Sequence, residues 1–400
     1  MIEVEQAIGL LTASVAEIAQ PESVPLLDAL GRVLIEEVLS PIGVPRFPKA
    51  AMDGYALFSA DSTKASRERP VRLQVVCELD AGDAYPCDCA PFTAARIMTG
   101  GTVPEGYDCV IKQEDSDRGA PYVSIYKALS PQENYVAAGE DIREGQLVFQ
   151  SHTRLTCDHI GVLASMGFAR VTVLRPFRVG LIATGNELAR PGEPLDPAQV
   201  YDSNSYLLAS YLKSAGVELT TFEICRDEPE LFEALVEEGI AKADFLITTG
   251  GVSVGRRDIV ASSLEALGAT PLFARVNMKP GTPVLAKLYR GKPVLCLSGS
   301  PFAAVANFHV FFWPALAKAM GCPDLNYARK SAVLREGFMK PSGLRRFVRA
   351  HLKDDGAYLY TRDHRASVLS NLPGSNCLID QPANTPLSPG DTVELLCPRI

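Results

Sequence analysis

The sequence has no run of about 18 consecutive apolar residues, the length a membrane-spanning helix needs, so no span and no membrane partner are expected. It also lacks a positively charged start followed by an apolar stretch. MIEVEQAIGLL opens with acids instead, which argues against a secretory signal and makes the cytoplasm the expected compartment. Positive charge is in deficit: 39 Lys and Arg against 47 Asp and Glu give a net charge of −8. A surface built to neutralise nucleic-acid phosphates is normally basic, so no nucleic-acid partner is expected, although a local basic pocket for a small anion is still allowed. There is no C-x-x-C with companion histidines, which argues against structural zinc. Of the ten cysteines only Cys87 and Cys89 lie close together, and most read as small buried hydrophobes of a reducing compartment. No internal repeat or low-complexity tract is present.

What is present is long enough for several cores, since domains commonly run to roughly 100–200 residues. Ile8, Leu11, Val15 and Ile18 have helical spacing, which predicts a helix over 1–19. Residues 24–36 read as a further helix, or a helix followed by a strand, before Pro41, Pro45 and Pro48 punctuate an extended stretch. Between 53 and 145, short apolar runs separated by Gly, Pro and Asp turns predict a β module. Thr153 to Gly167 has a helical pattern.

At Arg178 the pattern changes. Apolar strands at 179–183, 217–224, 243–248, 270–274 and 294–297 alternate with helices at 205–215, 228–242, 259–267 and 301–320. Strict alternation predicts a parallel sheet with helices on both faces, whose ligands sit at the carboxyl ends of the strands. From Ser331 onward short strands return, with turns at Pro386 and Pro389-Gly390-Asp391, and predict a small β-barrel.

Four segments follow predicted strands of the α/β region: Thr184-Gly185-Asn186-Glu187, Thr249 to Gly255, Lys279-Pro280-Gly281-Thr282-Pro283 and Ser298-Gly299-Ser300-Pro301. Each alone is an ordinary tight turn. In a parallel sheet all four gather at one rim, where backbone amides and hydroxyls suit an anion. Glu187, Asp202, Asp227 and Asp258 fall at or near that rim. Carboxylates beside an anion cradle would repel the ligand unless a cation intervened, which points to Mg²⁺. Arg256, Arg257, Arg275 and Lys279 would supply positive charge to the anion itself.

With these residues in view, the chain resembles the molybdopterin molybdotransferase family, the MoeA family that includes the E domain of gephyrin. The resemblance runs along nearly the whole chain. It is carried by AMDGYA (51–56), RIMTGG (96–101), GEDI (139–142), ATGNEL (183–188), YDSN (201–204), TTGGVSVG (248–255), MKPGTPV (278–284) and SGSP (298–301).

The resemblance implies a metal-dependent transferase that takes adenylylated molybdopterin, molybdate and Mg²⁺ and releases AMP and molybdenum cofactor. It implies a homodimer with the active site shared across subunits, and a molybdopterin adenylyltransferase upstream. The implied fold is multidomain α/β plus β: a central parallel, MogA-like molybdopterin-binding domain, a smaller β module, an elongated linking domain and a C-terminal β-barrel. The corresponding boundaries are 1–22 for an N-terminal helix packed on the α/β domain, 23–46 with 146–176 for the linking domain, 47–145 for the β module, 177–326 for the α/β domain and 327–400 for the barrel. The implied catalytic positions are Asp53, Thr99, Asp141, Glu187, Asp227, Asp258 and Lys279, with Glu187, Asp227 and Asp258 as metal ligands. Thr184, Gly185, Gly250, Gly251, Ser253, Arg275, Gly281, Ser298, Gly299 and Ser300 would hold substrate.

The chain departs from the family pattern in five places. Arg256-Arg257 stand where an acid is usual, Asn186 where Asp is usual, SGSP where PGNP is usual and Thr282 where Lys is usual; the approach to GEDI lacks an arginine pair. These departures frame the alternative reading, a specialised paralogue that binds or delivers the pterin or finished cofactor without turnover.

Overall fold

A computed structural model describes residues 1–83, 86–252, 259–337, 341–359 and 363–398. The chain divides into two compact units. One comprises Met1–Ile35, His152–Thr156 and Val171–Ile400; the other comprises Glu36–Ser151 and Cys157–Arg170.

The second unit is built on five strands: β1 (Gly54–Leu57), β2 (Val71–Leu79), β3 (Thr93–Ile97), β4 (Cys109–Lys112) and β5 (Tyr122–Ile125), in the spatial order β4-β1-β3-β2-β5. β1 is an interior strand, antiparallel to both neighbours, while β2 and β3 run parallel. Gly54 lets β4 approach, because a Cβ there would lie 1.7 Å from the Ile111 carbonyl oxygen. Tyr55, Leu57, Leu73, Ile111 and Val123 fill one face. Ala56, Leu79, Ile97 and Val110 fill the other. Cys77 and Cys87 form a disulfide here, unlike the free, buried cysteines the sequence suggests. Val38–Leu39 pairs with Leu147–Phe149, tying the two chain ends of the unit together.

The first unit contains the expected α/β sheet. Its strands are β6 (Arg178–Thr184), β7 (Glu218–Cys225), β8 (Phe245–Thr249), β9 (Thr270–Ala274), β10 (Leu285–Tyr289) and β11 (Lys292–Leu297), in the order β7-β6-β8-β11-β10-β9. β7, β6, β8 and β11 are parallel. The other edge departs from an all-parallel sheet, since β10 is antiparallel to both β9 and β11. The β10–β11 connection is the tight turn Arg290-Gly291, with φ of 50° and 76°, the backbone of a two-residue hairpin.

Among the described residues five helices cover this sheet or begin at its rim: α1 (Val4–Ala13), α2 (Asn204–Ser214), α3 (Pro229–Lys242), α4 (Ile259–Ala266) and α5 (Pro301–Ala319). α5 is apolar nearly all round and almost wholly buried, as a helix without a polar face must be. α1 is shorter than the predicted 1–19, but buries Val4, Ala7 and Leu11 in the same core as Phe308, Phe311 and Phe312 of α5. The helix expected over 24–36 does not form. Pro21–Pro25 is a strand and Leu26–Ala29 a 3-10 turn, and Leu27 is 80% exposed, so its apolar spacing does not mark a core-facing stripe.

The C-terminal strands are β12 (Ala328–Glu336), β13 (Arg345–Lys353), β14 (Gly356–Tyr358), β15 (Cys377–Gln381) and β16 (Thr392–Cys397). They close as β13-β14-β12-β16-β15, with β15 returning to pair with β13. This is the barrel that the turn spacing predicts.

Candidate active site

The carboxyl ends of β6, β8 and β11 converge, as the parallel register requires. Gly185 N donates to Cys225 O at 3.1 Å, and Gly250 N to Leu297 O at 3.2 Å. Gly250 has φ +93°, and a Cβ there would lie 2.2 Å from the Thr184 carbonyl oxygen, so only glycine lets the β8 turn cross β6 this closely. The MKPGTP turn is held to the same rim by Asn307 of α5, which is fully buried. Its Nδ2 donates to Gly281 O at 3.0 Å and its Oδ1 accepts from Ser298 N at 3.5 Å.

These turns enclose a pocket of about 690 Å³. Thr184, Gly185, Glu187, Asp227, Gly250, Gly251, Gly281, Ser298, Gly299 and Ser300, all named from sequence, line it. The N-termini of α2 and α5 open on it through Asn204, Ser300 and Pro301, which adds partial positive charge where an anion would sit.

Sequence reasoning missed part of the wall. Asn204 donates from Nδ2 to Thr249 Oγ1 (3.3 Å) and Gly299 O (2.8 Å), stitching two rim turns together. Ala366 reaches the pocket from the barrel segment, and its carbonyl accepts from Phe302 N at 2.8 Å. YDSN did signal Asn204. Nothing in the sequence links Ala366 to the rim, because that contact is made only by tertiary packing.

The pocket's polar atoms are not all satisfied. Thr184 Oγ1, Asp202 Oδ2 and Asn204 Oδ1 are buried and have no hydrogen-bond partner among the described residues. Asp202 is 2% exposed, with Oδ1 accepting from Ser205 N at 3.0 Å. Buried polar atoms are normally paired, and three orphans in one pocket wall fit a polar ligand. Glu187, Asp202 and Asp227 line the pocket, and no Lys or Arg does so among the described residues.

Arg275 and Lys279 are exposed and are not among the lining residues; Lys279 lies in a short strand beside Arg345–Arg346 of β13. Ser253 and Asp258 lie outside the described residues.

In the second unit, Asp53 and Thr99 meet as a pair: Asp53 Oδ1 accepts from Thr99 N at 2.8 Å and from Thr99 Oγ1 at 2.7 Å. These bonds hold the Asp53 carboxyl below its usual value. Asp141 lies in an exposed turn fixed by Asp141 N donating to Val44 O at 3.0 Å.

Family models account for most of the chain. The MoeA N-terminal region (domain I and II) matches residues 2–167, a probable molybdopterin binding domain matches 180–318, and the MoeA C-terminal region (domain IV) matches 331–397. A curated relative from Mycobacterium tuberculosis, molybdopterin molybdenumtransferase 2, is 35% identical over 93% of this chain and 93% of its own length. The chain belongs to the molybdopterin molybdenumtransferase family. A Bacillus subtilis member is 34% identical over 95% of this chain and 90% of its own. Two crystal structures of the molybdopterin biosynthesis MoeA protein from Pyrococcus horikoshii have the same fold, with TM-scores of 0.84 and 0.85 at 30% and 26% identity. Each match covers 99% of this chain, and 99% and 100% of the respective relative. Among the described residues no helix is long and apolar enough to cross a membrane.

Proposed function

We propose that this member of the molybdopterin molybdenumtransferase family inserts molybdate into adenylylated molybdopterin and releases AMP, using the pocket at the β6–β8–β11 rim. The observation that carries the reading is the set of orphaned buried acceptors, Thr184 Oγ1, Asp202 Oδ2 and Asn204 Oδ1, in a wall that also holds glycine turns, two helix N-termini and the carboxylates of Glu187 and Asp227. The Gly251 and Gly299 amides of these turns are suited to the phosphate oxygens, and the buried acceptors to N–H groups of the pterin or adenine.

Three carboxylates without a lining Lys or Arg fit a resident Mg²⁺. Among the described residues no three acid, His or Cys side chains converge tightly enough to ligate an ion by themselves. Mg²⁺ commonly takes one or two protein carboxylates and completes its shell with substrate phosphates and water. Glu187 and Asp227, joined by Asp258, are the proposed ligands. Bound there, Mg²⁺ would neutralise the phosphoanhydride and the charge that develops as it breaks. The protein's own share is to position the substrate: Asn204 fixes two turns relative to one another, and Asn307 fixes a third.

The reading includes the domain division given above, a cytoplasmic homodimer whose active site draws Asp53, Thr99 and Asp141 from the other subunit, roles for Arg275, Lys279 and Ser253 toward the substrate, and an upstream adenylyltransferase. Its test is equilibrium binding of adenylylated molybdopterin to the full chain and to Asp202→Ala and Asn204→Ala. Each substitution removes an orphaned acceptor and should weaken binding about tenfold or more, roughly 1.4 kcal/mol. Unchanged affinity in both would remove this pocket from the account. Asp258→Ala should abolish turnover and leave the fold intact.

A further inference from the structure

The barrel contains a second cysteine pair, remote in sequence from Cys77 and Cys87. β15 and β16 are antiparallel with Leu378 opposite Leu396 and Ile379 opposite Leu395. One step along this register places Cys377 opposite Cys397. Directly opposed residues of an antiparallel pair have Cα atoms about 4.5–5.5 Å apart, inside the roughly 4.4–6.8 Å range a disulfide spans. Both side chains belong to one apolar cluster with Ile379, Val393 and Leu395, so both sulfurs face the same way.

The two thiols differ in setting. Cys377 is 3% exposed, and its Sγ lies 3.5 Å from Ala350 O. Cys397 is half-buried. We propose that Cys377 and Cys397 form a reactive dithiol, with Cys397 the attacking thiol and Cys377 the resolving one, that a low-molecular-weight disulfide converts to a cross-strand disulfide. The neighbouring Cys377 and the Lys330 ammonium lower the Cys397 thiol, whereas Cys397 and burial push Cys377 up. The less buried thiol, which solvent and a small disulfide can reach more readily, is the better placed nucleophile of the two.

The chemistry balances without a further reagent. The Cys397 thiolate attacks one sulfur of the small disulfide, forming a mixed disulfide and expelling one small thiolate. Cys377 gives up its proton and attacks Cys397 Sγ, and the second small thiol leaves with that proton. The protein loses two electrons and two hydrogens, and the small disulfide is reduced to two thiols. The product would staple the last strand of the barrel to its neighbour.

No Lys or Arg lies between Arg365 and Arg399, so trypsin releases both cysteines in one fragment, residues 366–399. The experiment treats the reduced full-length protein with oxidised glutathione, quenches in acid, alkylates under denaturing conditions and weighs that fragment. The expected fragment is two hydrogens lighter than the dithiol and takes up iodoacetamide only after reduction. Cys377→Ser should instead trap glutathione on Cys397. A fragment alkylated at both cysteines, or glutathione on Cys397 of the unsubstituted protein with Cys377 alkylated, would overturn the proposal. So would a Cys377→Ser fragment with no adduct.

Discussion

One oxygen of Asp53, Oδ1, accepts two hydrogen bonds from a single residue, the backbone N and the hydroxyl of Thr99, although 46 positions separate them in the chain. The pair locks the MDGYA turn to the RIMTGG turn. Hydrogen bonds to the charged form lower a carboxyl's pKa, and here both bonds act in that direction. Their stabilisation is therefore complete above the titration of the unfolded carboxyl and is lost as pH falls through the lowered folded value. Thr99→Ala removes one of the two donors. The Asp53 carboxyl should titrate at higher pH in that variant, as a carboxyl-detected NMR titration would show, with no change in ionisation at neutral pH.

Gly250→Ala tests the crossing of the β8 turn over β6. A left-handed backbone costs a non-glycine residue about 1–2 kcal/mol. The added Cβ would also press on the Thr184 carbonyl, 2.2 Å away. The turn must move away from the rim, so kcat/KM for adenylylated molybdopterin should fall about tenfold or more while the far-UV circular dichroism is retained.

Asn307→Leu should act on stability and site together. The side chain is fully buried and bridges Gly281 O and Ser298 N. Its removal strands buried backbone groups at about 1–3 kcal/mol, which a denaturant titration would read as a lower midpoint. The MKPGTP turn loses its tether, so KM should rise more than the stability loss alone explains.

Asp380→Ala tests the barrel. Asp380 is 6% exposed and pairs through both oxygens with Arg345 Nε and Nη2, each at 2.6 Å. Removing the carboxylate leaves a largely buried guanidinium, a loss of about 3–5 kcal/mol. Glu5 of α1 also bonds Arg345, which holds the Glu5 carboxyl below the usual range, and this remaining carboxylate partner should limit that loss. Thermal denaturation of Asp380→Ala and Asp380→Ala/Glu5→Ala would separate the two contributions.

Most of the fold could be read from the sequence wherever the physics was local. Val179 to Ala183, Phe245 to Thr248 and Val294 to Leu297 are short apolar runs, and each is a buried strand. β10 was hidden because Leu285–Tyr289 carries Lys287, which breaks the apolar signature. In the fold Lys287 is 5% exposed, with Nζ bonded to Ala261 O and Glu265. The stretch from 24 to 36 misled in the opposite sense, since Leu27 and Leu30 have helical spacing but point to solvent. At the site, the glycine and hydroxyl turns were legible because a tight strand-to-helix turn needs those residue types. Asn307 and Ala366 were not, because each acts through a partner far away in sequence that only the packing of α5 supplies.

The most direct measurement supplies the purified protein with adenylylated molybdopterin, Mg²⁺ and either molybdate or tungstate, and quantifies released AMP and metallated pterin. The account predicts AMP release that depends on both the oxyanion and Mg²⁺, with metallated pterin formed in equal amount. A folded protein that binds the adenylylated pterin tightly and releases no AMP would contradict it, and would leave a carrier in place of a transferase.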